Sequence, residues 1–560
     1  MMSVESRRLA LEQGIGSWRD LNLAQWLDRV AQSHPERPFV ISDYRTYTYR
    51  EVAQGSRRLG LGLIASGVHP GERVAMIVAN YPEFVLLTFA IARAGAVAVP
   101  INFRFRGDEL GYVLRQSESC ALVTMASFEG FDYLAALTAQ APGWSEGHSS
   151  SLPDLRAVWA LPGSGPEGSG LPGLAELERS AAEVSEAELA TRCAATPSGA
   201  SAAVFYTSGT TGFPKGAVLS HEMLLRSAYG SAYSRAFEDG RRILFALPLY
   251  HVFAYIEGML AATFAGGAII PQLGFEPAAT YRAIQDQLAS EALFVPTMSI
   301  AVVDHPARRD FNTASLHAVM SAAAAAPVWL WERIRSDLGV DELSTGYGMT
   351  ETSAATTLTM PGDPLETISA TVGRPKAGGL AGELCEYRTL DPFSGLPLPP
   401  GSEGELAVRG AIISHGYYGK PEETSAARDA DGWLRSGDLG YVGPDGYLRI
   451  TGRSKELYKC GGEQVAPREV EDLLTGHPKV AQAYVVGVRD ELMGEVGVAW
   501  VVPSGDAPDP EELLRHCAEH LARFKVPREV RYIAATALPT TSTGKVQKYR
   551  LIEMAATAPS

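Results

Sequence analysis

Cysteine is scarce in this sequence, with five residues among 560 and no Cys-x-x-Cys pair. The five are odd in number and scattered, at positions 120, 193, 385, 460 and 517. Disulfide frameworks, and the commonest zinc sites, are recognised from cysteines that are paired or regularly spaced. Neither feature is therefore expected in this protein.

Long hydrophobic runs are also lacking. No apolar stretch reaches the roughly 18 to 20 residues that crossing a bilayer requires. The first 18 residues are charged and contain no apolar segment of the kind found in secretory signals. The sequence therefore predicts a protein of the reducing cytoplasm without a membrane span.

Positive charge is in deficit, because 49 Lys and Arg stand against 64 Asp and Glu, which gives a formal net charge of −15. Such a balance provides no basic surface for nucleic acid or anionic lipid. Partners of these two kinds are not expected. An anionic ligand would have to be bound by a local concentration of positive charge.

The chain is too long for a single core, so two or more domains are expected. Helical and strand patterns alternate through residues 24–125 and again after residue 216, which is typical of open, largely parallel sheets covered by helices. One of the strand patterns covers 268–271. From about residue 373 the strand patterns become shorter and richer in turn residues, as at 404–409. A compact α+β unit of about 100 residues follows the junction near residue 453, with a helix predicted over 510–524.

Residues 141–201 differ from the rest of the chain, because Gly, Pro, Ser and Ala dominate their composition. This composition predicts a flexible, low-complexity excursion on the surface. Inside it, Gly163-Ser-Gly165-Pro-Glu-Gly168 has the spacing of a dinucleotide-binding fingerprint. Pro166 interrupts that segment and no strand precedes it, so we reject the assignment.

The stretch Tyr206-Thr-Ser-Gly-Thr-Thr-Gly-Phe-Pro-Lys-Gly216 follows a short apolar strand pattern. Its glycines allow positive φ and bring backbone N–H groups close to an anion. Its hydroxyl groups add donors, and Lys215 supplies a positive charge. The stretch therefore predicts a cradle for a polyphosphate. It is not a Walker loop, because Pro214 occupies the position of the second glycine.

Further motifs follow in chain order. They are Tyr347-Gly-Met-Thr-Glu351, Ser436-Gly-Asp-Leu-Gly440, Gly452-Arg-Ser-Lys-Glu456 and Pro539-Thr-Thr-Ser-Thr-Gly-Lys-Val546. Together with 206–216, these segments resemble the signature segments of the adenylate-forming superfamily, within its acyl-CoA and aryl-CoA ligase family. The chance of meeting all of them in this order in an unrelated chain is negligible.

The resemblance implies a fold and a reaction. The fold is α/β, with a large N-terminal domain (residues 1–452) of two βα sheets and a small β-barrel-like subdomain, followed by a small mobile α+β C-terminal domain (residues 453–560). The reaction is the ATP-dependent ligation of a carboxylic acid to CoA. The acid attacks ATP to give an acyl-adenylate and pyrophosphate, and the CoA thiol then displaces AMP. The implied cofactors are ATP, Mg²⁺ and CoA.

The resemblance also implies which residues act on the nucleotide. Lys545 would stabilise the charge that develops in the transition state, and Glu351 would bind Mg²⁺. Asp438 would accept hydrogen bonds from the ribose hydroxyls. The implied ATP- and AMP-binding residues are Thr207, Ser208, Gly209, Thr210, Thr211, Lys215, Ala323, Ala324, Tyr347, Gly348, Met349, Thr350, Glu351, Asp438, Arg453 and Lys459. The implied catalytic residues are Lys545, Glu351, Thr207 and His251.

The implied acyl and CoA sites depend on other segments. The implied acyl pocket comprises His251, Phe253, Ala322, Ala323 and Gly346. The turn Cys460-Gly461-Gly462 would line the pantetheine tunnel, and Lys455 would be the hinge about which the C-terminal domain rotates between the two half-reactions.

The segment 248–253 also bears on the acid. It lacks the aspartate that the peptide-synthetase adenylation domains of the same superfamily place there to pair with the ammonium group of an amino acid, so the resemblance disfavours an α-amino acid. The small side chains of 322–326, together with Gly258 and Gly346, predict room for a bulky, mostly apolar acid.

Two positions depart from the family pattern. Ala325 replaces a proline, and Gly461 occupies a position where several aryl-CoA ligases have a second lysine. Two alternative functions therefore stay open. The enzyme would perform mainly the thioester-forming half-reaction on a supplied acyl-adenylate, or it would transfer the acyl group to the pantetheine of a carrier protein. A luciferase-like monooxygenase shares most of the motifs. A non-catalytic binding protein is disfavoured, because Lys545, Glu351 and Asp438 are intact. A homodimer is one oligomeric state that the sequence allows.

Overall fold

The computed structural model describes residues 2–146, 149–161, 170–207, 214–453, 456–461, 463–541 and 546–557, without the side chains at positions 146, 464 and 557. Two large, mainly parallel sheets lie in the first two thirds of the chain, and antiparallel sheets follow them. A smaller unit at the C-terminus has its own sheet and its own apolar cores. The predicted α/β fold class is confirmed.

The first large sheet carries the start of the predicted phosphate loop. Its strands, in spatial order, are Lys215–Ser220, Ser201–Thr207, Val97–Pro100, Arg73–Ile77, Ser119–Thr124 and Ala157–Ala160. All neighbours are parallel except the first pair, which is an antiparallel hairpin at the sheet edge. Every residue of Ser119–Thr124 is buried, as expected for a strand covered on both faces.

The second large sheet lies alongside the segments that carry the predicted acyl site. Its strands, in spatial order, are Glu342–Ser344, Ala318–Ser321, Glu291–Phe294, Arg242–Phe245, Ala268–Pro271, Pro38–Ile41 and Thr46–Thr48. All pairs are parallel except the last, in which Thr46–Thr48 runs antiparallel to its neighbour.

Helices cover these sheets. The α-helices of the first 426 residues are Val4–Ile15, Leu23–Ser33, Tyr49–Ala65, Pro82–Arg93, Gly107–Gln116, Tyr133–Gln140, Leu174–Ser180, Glu186–Ala195, His221–Ser234, Ala261–Thr263, Pro277–Gln287, Pro296–Val303, Val328–Leu338, Leu365–Ala370 and Pro421–Ala426. Several begin at a proline, which suits a position whose N–H would have no partner within the helix. A π-helix, Phe253–Leu260, precedes Ala261–Thr263.

The described part of 141–201 is more ordered than its composition predicted. Ala157–Ala160 pairs in parallel with Ser119–Thr124 and forms the edge of the first sheet. The helix Leu174–Ser180 packs so closely on Tyr49–Ala65 that a Cβ at Gly62 would lie 2.0 Å from the carbonyl oxygen of Leu177. The prediction of a surface excursion is therefore wrong for the described part, because its scattered apolar side chains are enough to anchor a strand and helices.

Smaller antiparallel sheets follow the parallel ones. One contains Gly346–Met349, Ala354–Leu358 and Arg374–Pro375, and the other contains Glu386–Leu390, Gly404–Arg409, Leu434–Val442 and Leu448–Arg453. The second sheet lies in the β-rich region that the sequence predicted after residue 373, whereas the first sheet begins before that residue. The last strand ends at Arg453, where the domain junction was predicted.

The C-terminal unit is α+β, as predicted. Its sheet consists of Glu463–Val465, Tyr458–Cys460, Gly494–Pro503, Val480–Asp490 and Glu529–Tyr532, and its helices are Pro467–Thr475, Pro510–His520 and Lys548–Thr557. The sequence predicted a helix over 510–524, but the helix ends at His520 and a short 3₁₀ turn, Arg523–Lys525, follows. No helix among the described residues combines the length and the hydropathy needed to cross a bilayer.

Candidate active site

The phosphate-loop hairpin places two predicted residues opposite each other at the edge of the first sheet. Thr207 and Lys215 are cross-strand partners, and the Thr207 hydroxyl lies 3.4 Å from the carbonyl oxygen of Lys215. The hairpin register therefore fixes both ends of the loop. The predicted residues Ser208, Gly209, Thr210 and Thr211 lie outside the described residues.

The segment 415–418 pairs with this hairpin and extends the sheet edge. Tyr418 N–H donates to the Gly216 carbonyl at 2.8 Å, and Val218 N–H donates to the Gly416 carbonyl at 2.9 Å. Tyr417 lies opposite Ala217 in this pairing. The pairing fixes the backbone of Tyr417 directly beside the end of the phosphate loop.

Tyr417 connects the predicted phosphate lysine to the predicted metal ligand. Its ring centroid lies 5.3 Å from Lys215 Nζ, and its hydroxyl donates to Glu351 Oε1 at 2.7 Å. Burial and the negative charge of Glu351 raise the pKa of Tyr417, so it remains a neutral donor. Sequence reasoning missed this residue. The only signal was a Tyr-Tyr pair between glycines, which is not specific.

Glu351 lies in a short 3₁₀ turn, Thr350–Thr352, directly after the strand Gly346–Met349. Its main-chain carbonyl accepts from Ser414 N–H at 2.8 Å, which ties the turn to the segment that carries Tyr417. Gly348 allows the strand to approach Ala354, because a Cβ there would lie 1.8 Å from the Ala354 carbonyl oxygen. The Tyr-Gly-Met-Thr-Glu motif is therefore a tight turn that directs one carboxylate toward the hairpin.

The predicted ribose site is assembled from three separate motifs. Tyr347 Oη donates to Asp438 Oδ2 at 2.6 Å, and Arg453 Nε lies 3.0 Å from Asp438 Oδ1. Burial, followed by the charge of Asp438, raises the pKa of Tyr347. Because a carboxylate offers about four acceptor positions, Asp438 can keep these donors and still accept from ribose hydroxyls.

The alanine run after the strand Ala318–Ser321 contains a strained residue. Ala323 has φ of +73°, in the left-handed region. An L-residue with a Cβ adopts this region at a cost of about 1–2 kcal/mol. Ala323 and Ala324 are both exposed, as a nucleotide-binding turn would require.

His251 begins the segment predicted to border the acyl group. Its Nδ1 accepts from Phe253 N–H at 3.2 Å, which orients the ring and selects the tautomer protonated at Nε2. The π-helix Phe253–Leu260 follows, and all its residues are buried. π-Helical turns occur frequently at functional sites.

Two buried charges behind this segment were also missed. Glu257, in the π-helix, accepts from Ala355 N–H at 3.2 Å, and its Oε1 lies 3.5 Å from Lys376 Nζ. Lys376 also donates to Ser227 and Ser231. Burial lowers the pKa of Lys376. The pair connects the π-helix to the strand Ala354–Leu358, and the one signal for it was a glutamate within an apolar run.

The predicted acyl wall is tighter than the sequence suggested. A Cβ at Gly258 would lie 2.8 Å from Phe245, and a Cβ at Gly346 would lie 2.6 Å from both Leu358 and the Thr357 carbonyl oxygen. The prediction that these glycines provide empty space is therefore wrong, because neighbouring atoms already fill it. Ala322 and Phe253 are buried in the same apolar core.

The C-terminal predictions are only partly described. Lys545, Lys455 and Gly462 lie outside the described residues. The base of the Lys545 loop is described: Thr540 pairs with Val546, and Gln547 N–H donates to the Pro539 carbonyl at 2.7 Å.

One charged residue of the helix after this loop lies within electrostatic range of a carboxylate of the large domain. The pKa of Arg550 is raised, mainly by its hydrogen bond to Tyr549 and in smaller part by the charge of Glu109. Glu109 belongs to the helix Gly107–Gln116, whose last residue contacts Tyr206 and Tyr418 beside the phosphate hairpin.

The predicted CoA segment lies in the C-terminal sheet. Lys459 is exposed and Cys460 is buried, both on the strand Tyr458–Cys460. Gly461 has φ of +61°, and its N–H donates to the Met493 carbonyl at 2.8 Å. These residues therefore form a defined turn, which is held by Met493 and Glu495 of the C-terminal unit. Their role toward CoA stays a prediction.

Comparison with known proteins identifies the family. A model of the AMP-binding enzyme family matches residues 27–418, and a model of the AMP-binding enzyme C-terminal domain matches residues 469–545. The 3-[(3aS,4S,7aS)-7a-methyl-1,5-dioxo-octahydro-1H-inden-4-yl]propanoyl:CoA ligase of Mycobacterium tuberculosis is 35% identical, over 94% of this chain and 98% of that protein. A feruloyl-CoA synthase of Amycolatopsis is 34% identical, over 95% of this chain and 98% of that protein.

Solved structures are similar to this chain over nearly its whole length. ATP-bound MatB from Rhodopseudomonas palustris superposes with a TM-score of 0.80 at 26% identity, over 96% of this chain and 99% of that chain. The chain belongs to the AMP-binding enzyme family of adenylate-forming enzymes. It is an AMP-forming acid–CoA ligase, and it uses ATP, Mg²⁺ and CoA.

Proposed function

We propose that this ligase activates a bulky, mostly apolar carboxylic acid in the cleft bounded by Lys215, Glu351 and Asp438. The observation that supports this location best is the direct contact among three motifs distant in sequence, in which Tyr347 and Arg453 both bind Asp438. Tyr417 provides a second connection, between Lys215 and Glu351. Phosphate, metal and ribose positions would thus be held by two sets of side chains, which meet on the backbone segment 347–351.

The chemistry requires an activated acid. A carboxylate resists attack by a thiol, because it is anionic and its leaving group would be oxide. Transfer of AMP to the acid makes that oxygen part of a good leaving group. Lys215 would bind the departing phosphates, and Lys545 would stabilise the charge that builds up as one anion attacks another.

Glu351 fits a magnesium ligand by the chemistry of its donor atoms. A carboxylate oxygen is a suitable ligand for this hard cation, and the Tyr417 bond orients the carboxylate. When bound, the ion supplies charge neutralisation at the phosphates. Asp438 would bind the ribose, and His251 would border the acyl group.

The domain arrangement follows from the same proposal. The boundary would lie at residues 452–453, with Lys455 as the hinge that lets the C-terminal domain present Lys545 first and the turn at Gly461 second. The separate cores of that domain support such a movement. A homodimer and a cytoplasmic location stay predictions.

The residues around the predicted acyl site bear on the class of acid. The small, buried Ala322 and the apolar surroundings of Phe253 favour an apolar acyl group over a charged one. Two relatives are named for bulky ring-containing acids, a methyl-dioxo-octahydro-indenyl propanoate and ferulate. We therefore place bicyclic and aryl acids ahead of short linear acids.

An acid panel tests this choice. We expect kcat/KM for bicyclic propanoates and cinnamate-type acids to exceed that for acetate by at least tenfold, because each buried methylene contributes about 0.8 kcal/mol. The measurement is pyrophosphate release, with hydroxylamine trapping of the acyl-adenylate. Ala322→Leu should reduce turnover of the bulky acids and spare acetate, since overpacking affects only acids that fill the site. Fastest turnover of short linear acids would contradict the proposal.

Tyr417 is the most specific new element of the site, and its role is testable. Tyr417→Phe keeps the ring near Lys215 and removes the bond to Glu351. We expect the Mg²⁺ concentration for half-maximal pyrophosphate release to rise roughly tenfold, in line with other groups that orient metal ligands. Thioester formation from a synthetic acyl-adenylate should stay unchanged.

The neighbouring tyrosine provides a matched control for this variant. Tyr418 Oη bonds to a different carboxylate, Glu118 Oε2, at 2.6 Å. Tyr418→Phe removes a hydrogen bond of the same kind and should leave the Mg²⁺ requirement at the wild-type value. Equal shifts in both variants would show that Tyr417 acts on the fold and not on Glu351.

A further inference from the structure

A group of metal-binding side chains lies at the C-terminal end of the helix Pro510–His520, on the C-terminal unit. One ligand atom each of His516, Glu519 and His520 lies within 4.8 Å of the others. Positions spaced three and four residues apart lie on the same helix face. His516 is half-buried, and the other two are exposed. The group belongs to none of the family motifs described above.

The ring of His520 is oriented by a hydrogen bond to the main chain. His520 Nδ1 lies 2.9 Å from the main-chain carbonyl oxygen of His516, so this nitrogen is the donor and Nε2 keeps its lone pair. A hydrogen bond from one ring nitrogen to a carbonyl is the usual way in which proteins orient a metal-binding histidine.

A third imidazole supports His516 from the side. The His477 ring packs edge-on against His516, with centroids 5.2 Å apart. Its Nδ1 accepts from Lys479 N–H at 3.3 Å, and its Nε2 lies 3.5 Å from Glu512. Both nitrogens of His477 are thus engaged, so it acts as a packing partner rather than as a ligand. The nearby cation Lys479 is paired with Glu512 at 3.0 Å, which offsets its charge.

We propose that His516, Glu519 and His520 form a surface site for a divalent transition metal, with Zn²⁺ as the best-suited ion. Imidazole nitrogen favours Zn²⁺, Ni²⁺ and Cu²⁺ over Mg²⁺ and Ca²⁺, which prefer oxygen ligands. The site therefore discriminates against the ion used for adenylation. Two histidines and one carboxylate leave a coordination position for water, so the ion exchanges with solvent.

The proposed site lies at the C-terminal end of the helix Pro510–His520, and this position favours cation binding. The carbonyl groups of the last turn carry partial negative charge, which favours a cation there. Binding joins residues 516 and 520 across that turn, just before the chain leaves the helix at Leu521. Because the unfolded chain lacks this arrangement, the ion stabilises the folded C-terminal unit.

The test is a Zn²⁺ titration of the full chain, free of any purification tag, followed by calorimetry and repeated with Co²⁺ to record its absorption bands. One saturable site per chain is expected, unaffected by millimolar Mg²⁺. His520→Ala removes an exposed ligand and should weaken binding by more than tenfold. Glu519→Gln should weaken it less, because the amide oxygen is a poorer ligand.

An exposed histidine on the large domain serves as the control. His69→Ala should bind Zn²⁺ as the wild type does. Circular dichroism of each variant shows whether the helix is retained. Because His520 is exposed, His520→Ala tests the metal site even if a second variant, His516→Ala, does not fold. Unchanged binding in His520→Ala, or no saturable site in the wild type, would overturn the proposal. None of these readouts depends on ligase activity.

Discussion

Replacing Lys545 by Ala is expected to slow pyrophosphate formation by roughly 10²–10³-fold, the loss seen when one charge-stabilising donor is removed from an active site. The acid and ATP bring negative charge together, and Lys545 is the predicted cation at that point. Thioester formation from a synthetic acyl-adenylate and CoA should change by less than about threefold, because no phosphate anion is attacked in that step. The two rates are measured separately, by pyrophosphate release and by mass spectrometry of the acyl-CoA.

The control is another lysine of the C-terminal unit. Lys525 is paired with Glu469 at 2.7 Å and belongs to none of the family motifs. Lys525→Ala should leave both half-reactions near wild type. If Lys545→Ala lost both half-reactions equally, Lys545 would be supporting the C-terminal unit as a whole and not the first chemical step.

Glu351→Gln is expected to give the second largest effect, a loss on the order of 10²-fold in pyrophosphate formation. Glutamine keeps an oxygen that can accept from Tyr417, so the turn should stay in place while the charge on the metal ligand is removed. Raising the Mg²⁺ concentration should recover part of the rate. The measurement is pyrophosphate release over a range of Mg²⁺ concentrations.

Glu118 allows a matched comparison. It also accepts a hydrogen bond from a tyrosine, Tyr418, but lies outside the site. Glu118→Gln should leave the Mg²⁺ dependence unchanged. A role of Glu351 in metal binding would be contradicted by two results together. Added Mg²⁺ would not restore pyrophosphate formation in Glu351→Gln, and the thioester step would be slowed to the same extent.

The fold was predictable wherever an element has a complete local pattern. The strand 404–409 and the strand 268–271 were predicted with the bounds that the structure gives. The helix Pro510–His520 was predicted too long, because the apolar positions continue through Phe524 although the helix ends at His520. Residues 141–201 were misjudged, because composition does not reveal that a few apolar side chains anchor an edge strand.

The site was predictable where a motif carries its own chemistry. Tyr347, Asp438 and Arg453 were predicted separately, and the structure places them in contact. Tyr417 was not predictable, because its role arises from the pairing of 415–418 with the hairpin. The space beside Gly258 and Gly346 was misjudged, because a sequence does not show which neighbour fills a gap.

The junction between the two units is held in part by charged groups. Arg453 Nε lies 3.0 Å from Asp438 and 3.9 Å from Glu456, and Lys548 Nζ lies 2.5 Å from Glu456. Dissolved ions weaken attraction between partly exposed charges, whereas they leave buried apolar contacts intact. We therefore expect the proposed rotation of the C-terminal unit to respond to the ionic strength of the surroundings, without any change to either apolar interior.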